Sequence, residues 1–529
     1  MENKEALFRL DLADTQSEKL SRRDFLKLVL AGIAAIPLVS CHGDEIMPKP
    51  NIVVIFADDV GPGDIGFYHQ QRTGKPSVIP TPNIDQMIAE GMRFDNAHAP
   101  NSLCAPSRYS MLTGNYSFRN YLPFGVWRPW KDPGIEANYP TSARIAQKAG
   151  YTTSFFGKWG CGGQLKEEDT DNFIDREDPE NTDYSKLHKS ANYFGFDYAL
   201  ELPVGIQNFP YIFYENSQWM RIKDDSVLTW VGPEQHKNPD RQDGIGDSNW
   251  DPTQVGPILA SKAVAYLKQH AANKPDQPFF MFYSAQAVHL PHTPPISLDG
   301  VSIANSTPSA HGDMVHELDT QVGMIVDALK EINTYENTLV IFTSDNGGLA
   351  SQITALSDFD HDASNGLRGS KGMIYEGGDR VPFIVVWPNM ITPSSQSDEP
   401  IVGHDIVATI QAITDQKSSS GTAMDSLNLL PLFFRYPTDK GHQVILQQSP
   451  LGPFYAIRKD QWKLILLATD TKKKSVKDAV PVALFDLKNN PFENEDNNLI
   501  NSEEYQKLIH KLFDEYLKVR ENDFATVVN

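Results

Sequence analysis

The chain has 529 residues, of which 40% are hydrophobic and 22% charged, and it carries a formal charge of −21 and three cysteines. That length exceeds what one hydrophobic core usually organises, so two folded domains are expected, while the near-average composition excludes a disordered or fibrous chain. The acidic balance excludes broad nucleic-acid or anionic-membrane binding, and Cys41, Cys104 and Cys161 alone cannot form a disulfide framework.

Near the N-terminus, Ser21-Arg-Arg-Asp-Phe-Leu-Lys27 precedes an uncharged apolar run from Leu28 to Val39. The run is too short to span a bilayer as a mature helix, and the whole resembles a twin-arginine export signal. Leu38-Val39-Ser40-Cys41 resembles a bacterial lipobox, in which Cys41 would become the lipidated first residue. A plain signal cut nearby, with Cys41 incidental, is the alternative. Residues 1–49 are therefore read as signal and linker. The twin-arginine translocase is the expected export partner and the periplasm or cell envelope of a bacterium the destination, with the membrane touched only through a lipid anchor.

From Asn51 to Ala57 an apolar, β-branched run without alternation predicts a strand buried on both faces, breaking into Asp58-Asp59. A helix is expected over Pro82 to Gly91 and another over Ala143 to Gly150. Thr152 to Phe156 predicts a strand running towards Lys158, and Phe279 to Tyr283 one running towards His289. Between them, Leu165 to Pro252 is rich in Asp, Asn, Pro, Gly and aromatic residues and reads as long loops and short insertions. Gly312 to Ile332 has helical apolar spacing. Thr338 to Phe342 repeats the buried-strand design and passes into Asp345-Asn346-Gly347-Gly348. Strands alternating with helices predict an α/β fold with a large, mostly parallel sheet, whose ligands bind beyond the carboxyl ends of the strands. After about Thr414 the pattern becomes short antiparallel strands, Phe454–Arg458, Trp462–Leu467 and Ala483–Leu487, closed by a helix from Ser502 to Lys518. The expected division is residues 50–414 as a catalytic domain and 415–529 as an α+β subdomain.

Cys104-Ala-Pro-Ser-Arg108, followed by Leu112-Thr-Gly114, resembles the C-x-P-S-R signature of the type I sulfatases. Further blocks resemble that family in its order: Asp58-Asp59, Gly157-Lys-Trp159, Pro278-Phe-Phe280 with His289, Ser344-Asp-Asn-Gly-Gly348, Leu367-Arg-Gly-Ser-Lys371 and Glu376-Gly-Gly378. The resemblance runs from Asn51 to the C-terminus and implies an alkaline phosphatase-like fold. It also implies hydrolysis of a sulfate ester, of a small molecule or an oligosaccharide, by Cys104 oxidised to Cα-formylglycine. A formylglycine-generating or sulfatase-maturating enzyme would be the partner for that oxidation. One hydroxyl of the hydrated aldehyde would attack sulfur to give a covalent sulfated residue, and the other would expel sulfate. Asp58, Asp59, Asp345 and Asn346 offer only oxygen ligands, which suit Ca²⁺, with Mg²⁺ the alternative, and the residue at 104 would complete the set. Taken singly, these are also ordinary turn and capping residues. By the same resemblance, Arg108 and Lys158 orient the formylglycine, while Lys371 and a histidine contact the sulfate and the histidine protonates the leaving oxygen. Counting from Phe280 as the family motif runs selects His289, with His292 the alternative.

Family members commonly read Gly-Lys-Trp-His, whereas here Trp159 is followed by Gly160. A glycine does no acid–base work, so the proton acceptor for sulfate release has to be found elsewhere. Two other functions fit the same residues. One is a phosphonate monoester or phosphodiester hydrolase of the same superfamily, and the other, motivated by Gly160, is a non-catalytic lipoprotein that binds sulfated glycans.

Overall fold

In the computed structural model, residues 49–237, 242–416, 422–434, 440–469 and 479–521 are described. Cys41 and the twin-arginine segment lie outside them. The elements that position the site are, in chain order, β1 (Asn51–Ala57), α1 (Pro82–Glu90), β2 (Met92–Phe94), α2 (Cys104–Thr113), β3 (Thr152–Lys158), β4 (Tyr198–Leu202), β5 (Phe213–Glu215), β6 (Gln218–Met220), α3 (Val255–Asn273), β7 (Phe279–Ser284), α4 (Ala310–Glu331), β8 (Thr338–Ser344), β9 (Phe383–Val386) and β10 (Ser395–Ser397).

These strands form one ten-stranded sheet in the order β10-β2-β9-β8-β1-β7-β3-β4-β5-β6. Its centre, β8-β1-β7-β3-β4, is parallel throughout. Antiparallel pairings occur only towards the edges, from β8 through β9 to β2 and from β4 through β5 to β6. The unalternating sequence of β1 has a direct cause. Ile52, Val54 and Phe56 enter a core shared with α2, while Val53, Ile55 and Ala57 enter the core on the opposite face, shared with α3 and α4. Both faces must be apolar because both are covered.

Helix α4 shows the expected spacing, with Met314, Leu318, Val322, Ile325 and Leu329 buried against the sheet. It is opened by the Ser309 hydroxyl, which accepts from the Gly312 N–H at 3.1 Å. Helix α2 ends at Gly114, in the left-handed conformation with φ 71°.

Two readings change. Part of the segment read as loops, Leu165 to Pro252, supplies β4, β5 and β6, which extend one edge of the central sheet. And the small C-terminal sheet has four strands, β11 (Val444–Ser449), β12 (Phe454–Lys459), β13 (Trp462–Ala468) and β14 (Ala479–Asp486), all antiparallel. The first of these was not anticipated. Helix α5 (Gln506–Glu521) packs on this sheet through Ile509, Leu512 and Tyr516.

Candidate active site

The parallel strands end side by side, and each delivers a charged or polar group at the same edge. β1 runs into Asp58 and Asp59, β8 into Asp345 and Asn346, β3 ends on Lys158 and β7 on Ser284. Asp59 has a positive φ of 67°, a backbone state that aspartate tolerates better than most residues. Its N–H donates to Asp345 Oδ1 at 3.0 Å, so the two strand ends are tied together.

Around the three carboxylates stand three cations. Lys158 Nζ lies 2.6 Å from Asp58 Oδ2. Arg108 Nη2 lies 2.7 Å from Asp345 Oδ2 and 3.4 Å from Asp58 Oδ2. Lys371 Nζ lies 2.6 Å from Asp59 Oδ1. Arg108 is further fixed by donating through Nη1 to the Lys158 carbonyl at 3.0 Å and to Ser284 Oγ at 2.5 Å. Its guanidinium also lies over the Phe56 ring. Ser284 was not singled out from sequence, although its position at the end of a parallel strand is the signal that marked its neighbours.

Burial disfavours every charge here, and the pairing decides which survive. For Asp58, burial is overcome by Lys158 and Arg108, and its pKa is held far below the usual carboxylate range. For Asp59, burial is likewise opposed by Lys371 and His289, and its pKa is lowered. Asp345 goes the other way: burial and then the Asp58 carboxylate push it up to about 7 despite Arg108. The Lys371 ammonium is strengthened by Asp59 against its burial.

His289 Nε2 faces Asp59 Oδ2 at 3.8 Å, and its Nδ1 is 2.8 Å from the Leu290 carbonyl. A carbonyl only accepts, so Nδ1 carries the proton in the neutral ring and Nε2 is left open towards the acids and cations. Burial, then Lys371 and Lys158, lower this histidine to about 3. His292 is turned to another neighbour, with its ring centroid 5.1 Å from that of His311. His311 in turn joins a buried cluster that sequence spacing did not reveal. Asp64 Oδ1 is 2.8 Å from His311 Nε2 and 2.9 Å from His361 Nε2.

Cys104 is the first residue of α2, and it and Lys371 are the partly exposed members of the group, so the site opens between them. The remaining acids, cations and Asn346 are buried. Whether a metal ion fits can be tested on the oxygens themselves. Asp58 Oδ1 and Asn346 Oδ1 are both buried without a hydrogen-bond partner among the described residues. Two orphaned oxygens beside Asp59 and Asp345 are the donor set a hard divalent cation takes, and leaving them bare would be costly.

Gly160 sits behind Arg108. Its φ is 69°, and a Cβ placed on it would lie 2.7 Å from Arg108 Cδ. The arginine stem therefore occupies the space into which a side chain at position 160 would grow. Cys161, next to it, is a buried thiol whose pKa burial drives far up, so it supplies no thiolate.

Similarity to known proteins converges on this site. The sulfatase family model matches residues 50–415, and a second model, the C-terminal region of N-sulphoglucosamine sulphohydrolase, matches residues 369–522. An N-acetylgalactosamine-6-O-sulfatase of Bacteroides thetaiotaomicron is 30% identical over 453 residues, covering 79% of this chain and 82% of that protein. Human arylsulfatase A is 30% identical over 394 residues, covering 74% of this chain and 68% of its own length. Among solved structures, a sulfatase from glycosaminoglycan metabolism in Bacteroides thetaiotaomicron superposes with a TM-score of 0.73 at 27% identity, covering 90% of this chain and 100% of that one. A phosphonate monoester hydrolase of Agrobacterium radiobacter shares the fold, with a TM-score of 0.55 at 17% identity. With acids, cations and signature helix gathered at the carboxyl ends of the parallel strands at the sheet's centre, and a family match over most of its length, the chain belongs to the sulfatase family and is a sulfuric ester hydrolase.

Proposed function

We propose that the protein removes sulfate from a sulfated carbohydrate, using Cys104 in its formylglycine form and a bound Ca²⁺. What carries this reading is the pair of orphaned buried oxygens, Asp58 Oδ1 and Asn346 Oδ1, set among three cations beside the first residue of α2. Asp58, Asp59, Asp345 and Asn346 would hold the ion, with Cys104 at the opening. The ion would supply positive charge that acidifies a hydroxyl on residue 104 and polarises a sulfate oxygen. The oxidised side chain at 104 would supply two hydroxyls, one to displace the alcohol from sulfur and one to let sulfate leave.

The rest is the work of ordinary side chains. Arg108 and Lys158 neutralise Asp345 and Asp58 and keep them in place. Lys371, at the partly exposed edge, meets the sulfate as charge builds on its oxygens, an interaction worth several kcal/mol in a site closed to water. His289 presents Nε2 to the same space. Burial first, and then Lys371 and Lys158, depress this histidine; an anionic ester beside Lys371 would offset the second cause and favour a proton on Nε2, from where it would pass to the leaving alcohol oxygen.

A carbohydrate substrate is supported by relatives named for N-acetylgalactosamine 6-sulfate. The Arg22-Arg23 and Cys41 motifs support export as a cell-envelope lipoprotein. The test combines mass spectrometry of the Cys104 peptide with turnover of N-acetylgalactosamine 6-sulfate. An aldehyde at 104 in active protein, with activity lost in Cys104→Ala, is expected. An intact thiol in fully active protein would sink the proposal.

A further inference from the structure

The site opens between Cys104 and Lys371, and the C-terminal sheet reaches that opening through one tight turn. Strands β11 and β12 pair as far as Ser449 with Phe454, leaving Pro450-Leu451-Gly452-Pro453 as the connection. This turn is fastened to both sides of the opening. On the Cys104 side, the Ser102 N–H and hydroxyl each donate to the Gln448 carbonyl at 3.1 Å. On the Lys371 side, the Ser449 hydroxyl donates to the Gly372 carbonyl. The two sides are joined directly by the Gly372 N–H, which donates to the Ser102 carbonyl at 2.7 Å.

Leu451, at the tip, lies against the residue that follows Lys371. A Cβ added to Gly372 would come within 2.1 Å of Leu451 Cδ1, and Gly372 itself has φ 83°. Despite that contact, Leu451 is 73% exposed, and Met373, two residues beyond Lys371, is 45% exposed. A single exposed leucine on a protein surface means nothing. Here two exposed apolar residues follow or touch the segment just after Lys371, beside a pocket lined by charged and polar groups, and Leu451 is held there by a hydrogen-bonded turn. A sulfate ester has the matching polarity. Its anionic head belongs with the cations, and its alcohol must then project through the opening, past Leu451 and Met373.

We propose that Leu451, with Met373, forms the subsite for the alcohol portion of the ester, packing against an apolar ring face such as the C–H face of a hexose. This rests on the sulfatase reading above and assigns to the C-terminal sheet a direct part in choosing the substrate.

The test is equilibrium binding to the full chain carrying Cys104→Ala, so that it does not depend on turnover. Two ligands are compared, N-acetylgalactosamine 6-sulfate and inorganic sulfate, with Leu451→Ala and Leu451→Met in that background. Leu451→Ala should raise the Kd of the sugar sulfate about 5-fold or more and leave the Kd of inorganic sulfate unchanged, with Leu451→Met restoring most of the loss. If neither Kd moves, Leu451 touches no substrate. If both rise together, the turn only holds Lys371 and Gly372 in place; either result overturns the inference. Failure of the parent protein, with Cys104 intact, to hydrolyse any sulfate ester would instead overturn the sulfatase reading, and turnover separates that failure from both binding results.

Discussion

Placing at position 160 the histidine that the family resemblance implies should impair this protein. Two penalties follow from the structure. Position 160 is held at φ 69° by its place in the chain, with its N–H donating to the Pro203 carbonyl at 3.0 Å. A residue with a Cβ pays about 1–2 kcal/mol to adopt that state. The new Cβ would also start 2.7 Å from Arg108 Cδ, inside any tolerable contact, and Arg108 has no slack. Its two Nη atoms are committed to Asp345, Lys158 and Ser284. Loosening one buried charged hydrogen bond adds about 1.5–3 kcal/mol. A total near 3–4 kcal/mol, spread over a unit that runs from Pro48 to Asn529, lowers Tm by about 3–4 °C, since unfolding entropy near 2.1 cal/mol/K per residue gives about 1 kcal/mol per degree. Activity should fall on the order of 10-fold or more, because Arg108 sets the position of two acids in the site. Differential scanning fluorimetry and steady-state turnover of Gly160→His read both effects. A variant with unchanged Tm and higher kcat would show that the pocket behind Arg108 accepts an imidazole and that the steric reasoning is wrong.

Lys371→Ala should lower kcat by about 10²–10³-fold, the cost of losing one preorganised charge at the developing anion; a change under about 3-fold would remove Lys371 from the chemistry. Chelation followed by gel filtration should abolish turnover and lower Tm, with Ca²⁺ restoring both, because the orphaned oxygens of Asp58 and Asn346 would again be bare; an unchanged melting curve would argue against a bound ion. Away from the site, burial raises Glu201 from 4.5 to about 8, its carboxyl accepting among the described residues from the Ala191 N–H. Since the folded state holds the proton more tightly, the stability from this group is full below about pH 4.5 and drains away as pH rises to about 8. Glu201→Gln should therefore match the parent near pH 5 and exceed it above pH 8 by on the order of 4 kcal/mol, measured by denaturant unfolding across pH; parallel pH profiles for the two proteins would refute it.

The sequence displayed the strand-end residues because burial on two faces leaves a strong mark. Asn51 to Ala57 and Thr338 to Phe342 had to be apolar without alternation, so the acids that interrupt them stood out, and the structure sets Asp58, Asp59, Asp345 and Asn346 side by side. Lys158 closes its strand in pairing with Leu202, a residue from the very segment read as loop. That segment was illegible because β5 and β6 are three residues each, too short for a period to emerge. The Asp64, His311 and His361 cluster left no local trace, as the two histidines lie 247 and 297 positions from Asp64. Residue chemistry did not distinguish His289 from His292, since both precede x-Pro; the count from Phe280 selects His289, and the rings face different neighbours, His289 towards Asp59 and His292 towards His311.

Charge balance favours the divalent ion proposed for this site. Asp58, Asp59 and Asp345 are matched one for one by Lys158, Lys371 and Arg108, so the side chains alone sum to no net charge. A neutral cluster in a protein of formal charge −21 has little hold on a sulfate ester, and attraction from beyond about 8 Å is screened at physiological salt. Within the cluster the balance is also uneven, for Asp345 is pushed up to about 7 by burial and by Asp58. A dication held by these oxygens, as proposed, would correct both faults at once: it would keep Asp345 ionised and leave the pocket with two surplus positive charges. One would offset the ester, and the other would meet negative charge developing in the proposed attack by residue 104. Lys371, partly exposed and bound to Asp59 alone among the three acids, would then be the cation most easily turned from carboxylate to sulfate, so its replacement should cost turnover more than stability.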